Sequence, residues 1–145
     1  MTGSAVFFDC EFLTAPGAPQ RFWCGPHDPD PVVFQIGAVR ISLLAPFDEI
    51  ERFEVLIQPK DRHGSPIALH PLAEKLTGVS NTRLSREAVE LGEALARFAA
   101  FVGEDPIWSW GKDEFNMMAI SAYVKAMRRH GRRDPFDIST DRHHV

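Results

Sequence analysis

The sequence predicts an α/β domain with a mixed sheet: an antiparallel three-strand meander, followed by αβ units, with helices packed on it. Three observations predict it. Residues 5–13 form an apolar run rich in Val and Phe, the pattern of a buried strand. Residues 32–44 and 50–58 are also strand-like and are joined only by the turn Ala45-Pro46-Phe47-Asp48. Beyond them the apolar period lengthens to that of helices.

Between the first two strands lies an irregular loop. Residues 14–31 hold five prolines and two glycines, with Phe22, Trp23 and His27 among them. A loop of this length in a compact domain is functional or disordered. Residues 59–70 form a polar loop. A short helix over 71–76 follows, with Pro71 in its first turn and Gly78 as the glycine that ends it. Residues 85–102 read as one long helix, because Ala88, Leu91, Leu95, Phe98, Ala99 and Val102 share a face. Pro106–Trp110 reads as a fourth strand and Gly111-Lys112 as a turn. A second long helix covers 113–130, with Asp113 as its N-cap and Gly131 at its end. Residues 135–139 supply a fifth strand.

The bulk composition narrows the class. A chain of 145 residues with 44% hydrophobic and 25% charged residues reads as one globular domain, 1–145. A net charge of −4 gives no general attraction to nucleic acid. A local basic cluster does exist: Lys125, Arg128, Arg129, Arg132 and Arg133. It reads either as a solvated helix end or as a phosphate contact. Cys10 and Cys24 make neither a disulfide framework nor a zinc site. No apolar run is long enough to span a bilayer and no signal-peptide pattern opens the chain, so no membrane partner and a cytoplasmic location are expected.

The chemistry concentrates at the end of the first strand. In Phe7-Phe8-Asp9-Cys10-Glu11-Phe12 the two carboxylates stand at i and i+2, on one face of a strand. Adjacent carboxylates repel unless a positive charge lies between them. Mg²⁺ or Mn²⁺ suits that place, since hard cations prefer oxygen ligands. In sheets of this kind, sites gather at strand C-terminal ends. Asp113, after the fourth strand, brings a third carboxylate to the same edge.

Three segments in this order resemble the DEDD superfamily of 3′–5′ exonucleases, in its His-containing branch. The first is the hydrophobic strand ending in Asp9-Cys10-Glu11. The second is His70-Pro71-Leu72-Ala73-Glu74-Lys75-Leu76-Thr77-Gly78-Val79, similar to the Leu-Thr-Gly-Ile/Val segment. The third is Trp108-Ser109-Trp110-Gly111-Lys112-Asp113-Glu114-Phe115-Asn116, a strand followed by a helix opened by an acid. Asp113 has the residue type and place of the family ligand; the Trp-Gly-x-x-Asp spacing of some members selects Glu114 instead.

The resemblance implies a ribonuclease H-like fold and metal-dependent 3′–5′ hydrolysis at the 3′ end of single-stranded nucleic acid, RNA slightly favoured over DNA. It implies two divalent ions about 4 Å apart. Asp9 bridges both, Glu11 ligates one and Asp113 holds the other. Phe12 is the wedge against the terminal base, or a core residue. Phe12, Leu13, Phe22 and Trp23 offer a stacking surface. Leu76, Thr77 and Gly78 lie against the terminal nucleotide. Family members of this branch end on a His followed five residues later by Asp. Here His143 or His144 begins such a motif with no Asp after it, or both form a polar tail. The chain thus reads as cut short at its C-terminus. An inactive nucleic-acid-binding module is the rival expectation, and a homodimer is left open.

Overall fold

The computed structural model describes residues 3–130, and side chains as far as residue 127. Four strands form one sheet: β1 (Ser4–Phe12), β2 (Val33–Ser42), β3 (Glu49–Leu56) and β4 (Ile107–Trp108), in the order β3-β2-β1-β4. β2 runs antiparallel to both β1 and β3, while β4 runs parallel to β1. Among the described residues, four α-helices accompany them: α1 (Pro71–Thr77), α2 (Asn81–Glu87), α3 (Leu91–Val102) and α4 (Asp113–His130). This is the mixed sheet with packed helices that the sequence predicts. No helix among the described residues is long and apolar enough to cross a membrane.

β1 shows why the sheet has one buried and one open face. Successive side chains alternate across a strand. Val6, Phe8 and Cys10 are buried, whereas Phe7 and Asp9 are exposed. The buried set packs with Ala94 and Phe98 of α3 and Met117 of α4. Phe8 is the centre of this layer: its ring lies 5.2 Å from Phe98 and 5.3 Å, edge-on, from Phe115. Burying an aromatic ring of this size contributes a few kcal/mol, about 3–5 if the ring were removed. A second cluster, around Leu13, Phe34, Leu56, Leu84 and Val124, closes the end of the sheet where β1 finishes.

Three expectations need correction. The single helix over 85–102 is two helices. Ser80 caps α2, its Oγ accepting from the Arg83 N–H at 3.0 Å. Val89 then leaves the helix path to bridge Ile57, its N–H donating to the Leu56 carbonyl at 2.9 Å. That bridge costs a helical turn but satisfies backbone groups beside a sheet edge. The fourth strand is shorter than 106–110, since only Ile107 and Trp108 pair with β1. Asp113 is not an N-cap: the Lys112 carbonyl accepts from Asn116 N–H, which places Asp113 inside the first turn. Gly78 ends α1 in the left-handed region, φ 74°, as predicted for it. The fifth strand over 135–139, Gly131, Arg132, Arg133, His143 and His144 lie outside the described residues.

Candidate active site

Asp9 stands near the C-terminal end of β1 on its open face, paired in register with Gly37 of β2. A glycine inside a strand weakens the strand and leaves room above it. A side chain added at Gly37 would meet nothing within 4 Å, so the floor beside Asp9 is bare. Asp9 Oδ1 accepts from the Cys10 N–H at 2.9 Å, which fixes the carboxylate locally.

An open cleft of about 640 Å³ surrounds this floor, lined by Phe7, Asp9, Gly37, Trp108, Trp110 and Glu114 among others. Trp110 is fully exposed. The two acids of the cleft come from distant parts of the chain. α4 explains how Glu114 reaches it. Among the described side chains of that helix, Glu114, Met117, Ser121 and Val124 are buried, at spacings of three, four and three. These spacings define one face of a 3.6-residue period. Ser121 locks the face against the sheet: its Oγ accepts from the Val33 N–H at 2.9 Å and donates to the Met117 carbonyl at 2.7 Å. Asp113 falls off that face, is exposed and is not part of the cleft lining.

The electrostatics agree with this placement. The Cys10 thiol is pushed up to about 12, first by burial and then by the charges of Asp9, Glu114 and Glu11. Glu114 is thus close enough for its charge to be felt at the end of β1. Glu11 is held above the usual carboxylate range, first by burial and then by Asp9. Its neighbour across the ladder is Gln35, which donates to Glu54 at 2.7 Å.

Glu114 is 9% exposed, and its Oε2 is buried without a hydrogen-bond partner. A buried charged oxygen left unpaired costs several kcal/mol unless it is neutralised or paired, so a cation is the natural complement. Asp9 and Glu114 offer hard oxygen donors, whose chemistry suits Mg²⁺ or Mn²⁺. Among the described residues, no group of three or more His, Cys, Asp or Glu side chains is gathered tightly enough to hold an ion. Asp9 and Glu114 therefore share one cleft without forming a closed ligand set, and Glu11 is not among the residues that line it.

The remaining predicted residues lie around this region or apart from it. Phe12 is half-buried, its ring 5.5 Å from that of Trp23. Leu76 is exposed at the end of α1. The Thr77 hydroxyl donates to the Ala73 carbonyl at 2.9 Å and accepts from Val79 N–H at 3.2 Å, which shapes that helix end. Leu76, Thr77 and Gly78 do not line the cleft. Sequence reasoning passed over Gly37, Trp108 and Trp110 as parts of a site. A glycine inside a strand, opposite Asp9, is the signal for the first; the tryptophans stand in the third motif segment, but that motif marks its acid and not them as ligands.

No protein-family model and no curated protein matches this sequence. Solved structures do resemble the fold. A 3′-exonuclease seen in 3′-end specific recognition of a histone mRNA stem-loop is 13% identical, with a TM-score of 0.67 over 85% of this chain and 53% of that one. A full-length 3′-exonuclease is 11% identical, with a TM-score of 0.63 over 85% of this chain and 39% of that one. E. coli exonuclease I in complex with an oligonucleotide is 17% identical, with a TM-score of 0.55 over 88% of this chain and 24% of that one. The chain spans about half the length of the first of these and less of the others. At these identities the likeness is one of fold, and the fold is the one these exonucleases carry, ribonuclease H-like.

Proposed function

We propose that this chain is a metal-dependent 3′–5′ exonuclease that hydrolyses phosphodiester bonds at the 3′ end of single-stranded nucleic acid. One observation carries the reading. Asp9 and the buried, unpaired carboxylate of Glu114 line one open cleft at the carboxyl end of β1, in a fold shared with 3′-exonucleases.

Asp9 and Glu114 hold Mg²⁺ or Mn²⁺, with Glu11 joining them from the same strand face. Glu114 thus takes the third carboxylate position in place of Asp113. A bound divalent ion supplies charge neutralisation at the phosphate and a lowered pKa for its water. The chain's own contribution is placement. Gly37 keeps the floor clear for the strand end. Phe7 and Trp108 give the cleft an apolar wall that a sugar or base covers. Phe12 wedges at the terminal base, with Leu76, Thr77 and Gly78 set against the terminal nucleotide. RNA is slightly favoured over DNA, by the resemblance of the Trp110-Gly111 pattern alone; the 2′-hydroxyl is the group that separates them.

A second reading is an inactive binding module of the same fold. It is favoured by one observation: no histidine among the described residues lines the cleft, and a proton acceptor of that kind suits this hydrolysis.

Incubation of the full chain with Mn²⁺ and 5′-labelled single-stranded RNA or DNA separates the readings. A ladder of products shortened from the 3′ end, lost in Asp9→Ala and Glu114→Gln, supports the enzyme. Retention without shortening supports the binding module. Cleavage that survives both substitutions sinks the site.

A further inference from the structure

The segment that leaves the sheet after Glu11-Phe12 carries a backbone feature uncommon for bulky residues. A 3₁₀ turn at Pro19–Arg21 is followed by two successive non-glycine residues in the left-handed region, Phe22 at φ 53° and Trp23 at φ 54°. Bulky side chains rarely adopt this conformation, and it persists only where the surroundings impose it.

The surroundings do impose it. The Trp23 indole N–H donates to the Leu13 carbonyl at 3.0 Å, and the ring meets Phe12 edge-on. Trp23 N–H donates to the Ala18 carbonyl at 2.9 Å, and Ala18 is fully buried. On the other side the Arg21 guanidinium grips Asp28 through Nη2 at 2.5 Å and Nε at 3.1 Å, and Asp28 also accepts from Gly25 N–H at 2.8 Å. A side chain at Gly25 would come within 2.5 Å of the Asp28 carboxylate, so the glycine makes room for the clamp.

Trp23 is the anchor of this arrangement; Phe22 is what it displays. Phe22 is 81% exposed. A glycine or asparagine holds the same backbone with less strain, so the ring gains nothing from the fold. It stands one residue from the Trp23–Phe12 contact, and Phe12 follows Glu11. The guanidinium beside it is engaged by Asp28, which directs the contact toward an aromatic face rather than a phosphate.

We propose that Phe22 is a stacking residue for an unpaired nucleobase, on the strand whose end enters the Asp9 cleft. This rests on the nucleic-acid reading of that cleft. The contact is sequence-tolerant, because every base has a π-face. It adds affinity without changing the number of phosphates neutralised, so the salt dependence of binding stays the same.

Fluorescence anisotropy of the full chain with a labelled single strand of about 12 nucleotides tests it, with Ca²⁺ replacing Mn²⁺ so that no turnover intervenes. Phe22→Asn removes the ring while suiting the left-handed backbone, and a melting curve verifies folding. The expected result is binding weaker by about tenfold in Phe22→Asn, near-native binding in Phe22→Trp, and an unchanged salt slope. On a strand of abasic residues, Phe22→Asn and the native chain should bind alike. Native-like affinity of Phe22→Asn for the normal strand overturns the assignment of Phe22 alone, as does an equal loss on the abasic strand. A native chain that binds no single strand overturns the reading of the cleft and this proposal with it.

Discussion

Glu114 and Asp9 line the same cleft, one from the first turn of α4 and the other from β1. The neighbouring acid, Asp113, is exposed and does not line it. The two adjacent carboxylates of α4 are therefore distinguishable by experiment. Glu114→Gln should lower nuclease activity by about a hundredfold or more, the scale on which removal of one transition-state electrostatic group acts. Asp113→Asn should leave it within a few-fold. In the absence of divalent ions, Glu114→Gln should also melt no lower than the native chain, because it removes a buried charge whose Oε2 has no partner. Equal losses in the two variants would mean that the buried face of α4 does not select the ligand.

Ser121 is the residue that sets how α4 is rotated. Its hydroxyl joins the Val33 N–H of β2 to the Met117 carbonyl of α4 within the core. Ser121→Ala leaves a buried N–H unsatisfied, at a cost of about 1–3 kcal/mol, and should lower Tm accordingly. It should also weaken the response to Mn²⁺, since the lock that aims Glu114 is gone. Melting curves of Ser121→Ala with and without Mn²⁺ check both parts. An unchanged Mn²⁺ shift with a lowered Tm would leave Ser121 a stability residue only.

Much of this arrangement is legible in the sequence, and the exceptions have physical causes. The open and buried faces of β1 follow from strict alternation over Val6, Phe7, Phe8, Asp9 and Cys10, because the strand is packed on one side only. The break at Ala88-Val89-Glu90 is not legible. The apolar period runs straight through it, and what draws Val89 out is Ile57, a partner remote in sequence. Glu114 is an intermediate case. Its phase with Met117, Ser121 and Val124 was present in the residues, but residue type and nearness to the helix start favoured Asp113. Helix phase decides which of two adjacent acids faces inward; residue type does not.

Glu11 makes the chain sensitive to pH in a stated direction. Burial, and then Asp9, raise its pKa above the ordinary 4.5. A raised carboxyl binds its proton more tightly in the folded chain than in the unfolded one. The stability linked to it is present in full below the ordinary value and is lost as pH rises through the folded one. Without divalent ions, Glu11→Gln should therefore melt above the native chain at about pH 7 and lose that advantage near about pH 4. Mn²⁺ should raise the native Tm at neutral pH, and raise that of Glu11→Gln less, as expected when an ion binds the folded state preferentially. Glu11→Gln melting below the native chain in EDTA at neutral pH would contradict the sign.

Phe22 sets stability against display. Its backbone lies in the left-handed region at φ 53°, with most of its ring in water. A non-glycine residue there costs about 1–2 kcal/mol, and asparagine recovers part of this through its tolerance of the conformation. Phe22→Asn should thus stabilise the chain by roughly 1 kcal/mol, a rise in Tm of about 2–4 °C for a domain of this size. The same substitution at Trp23 should do the opposite. The Trp23 indole bonds to Leu13 and packs on Phe12, and removing a packed aromatic of this kind outweighs any relief of backbone strain, at about 3 kcal/mol or more. Two adjacent residues share one backbone conformation, and paired melting curves should show opposite signs for them. A fall in Tm for Phe22→Asn comparable to that of Trp23→Asn would mean that the Phe22 ring packs on the protein after all.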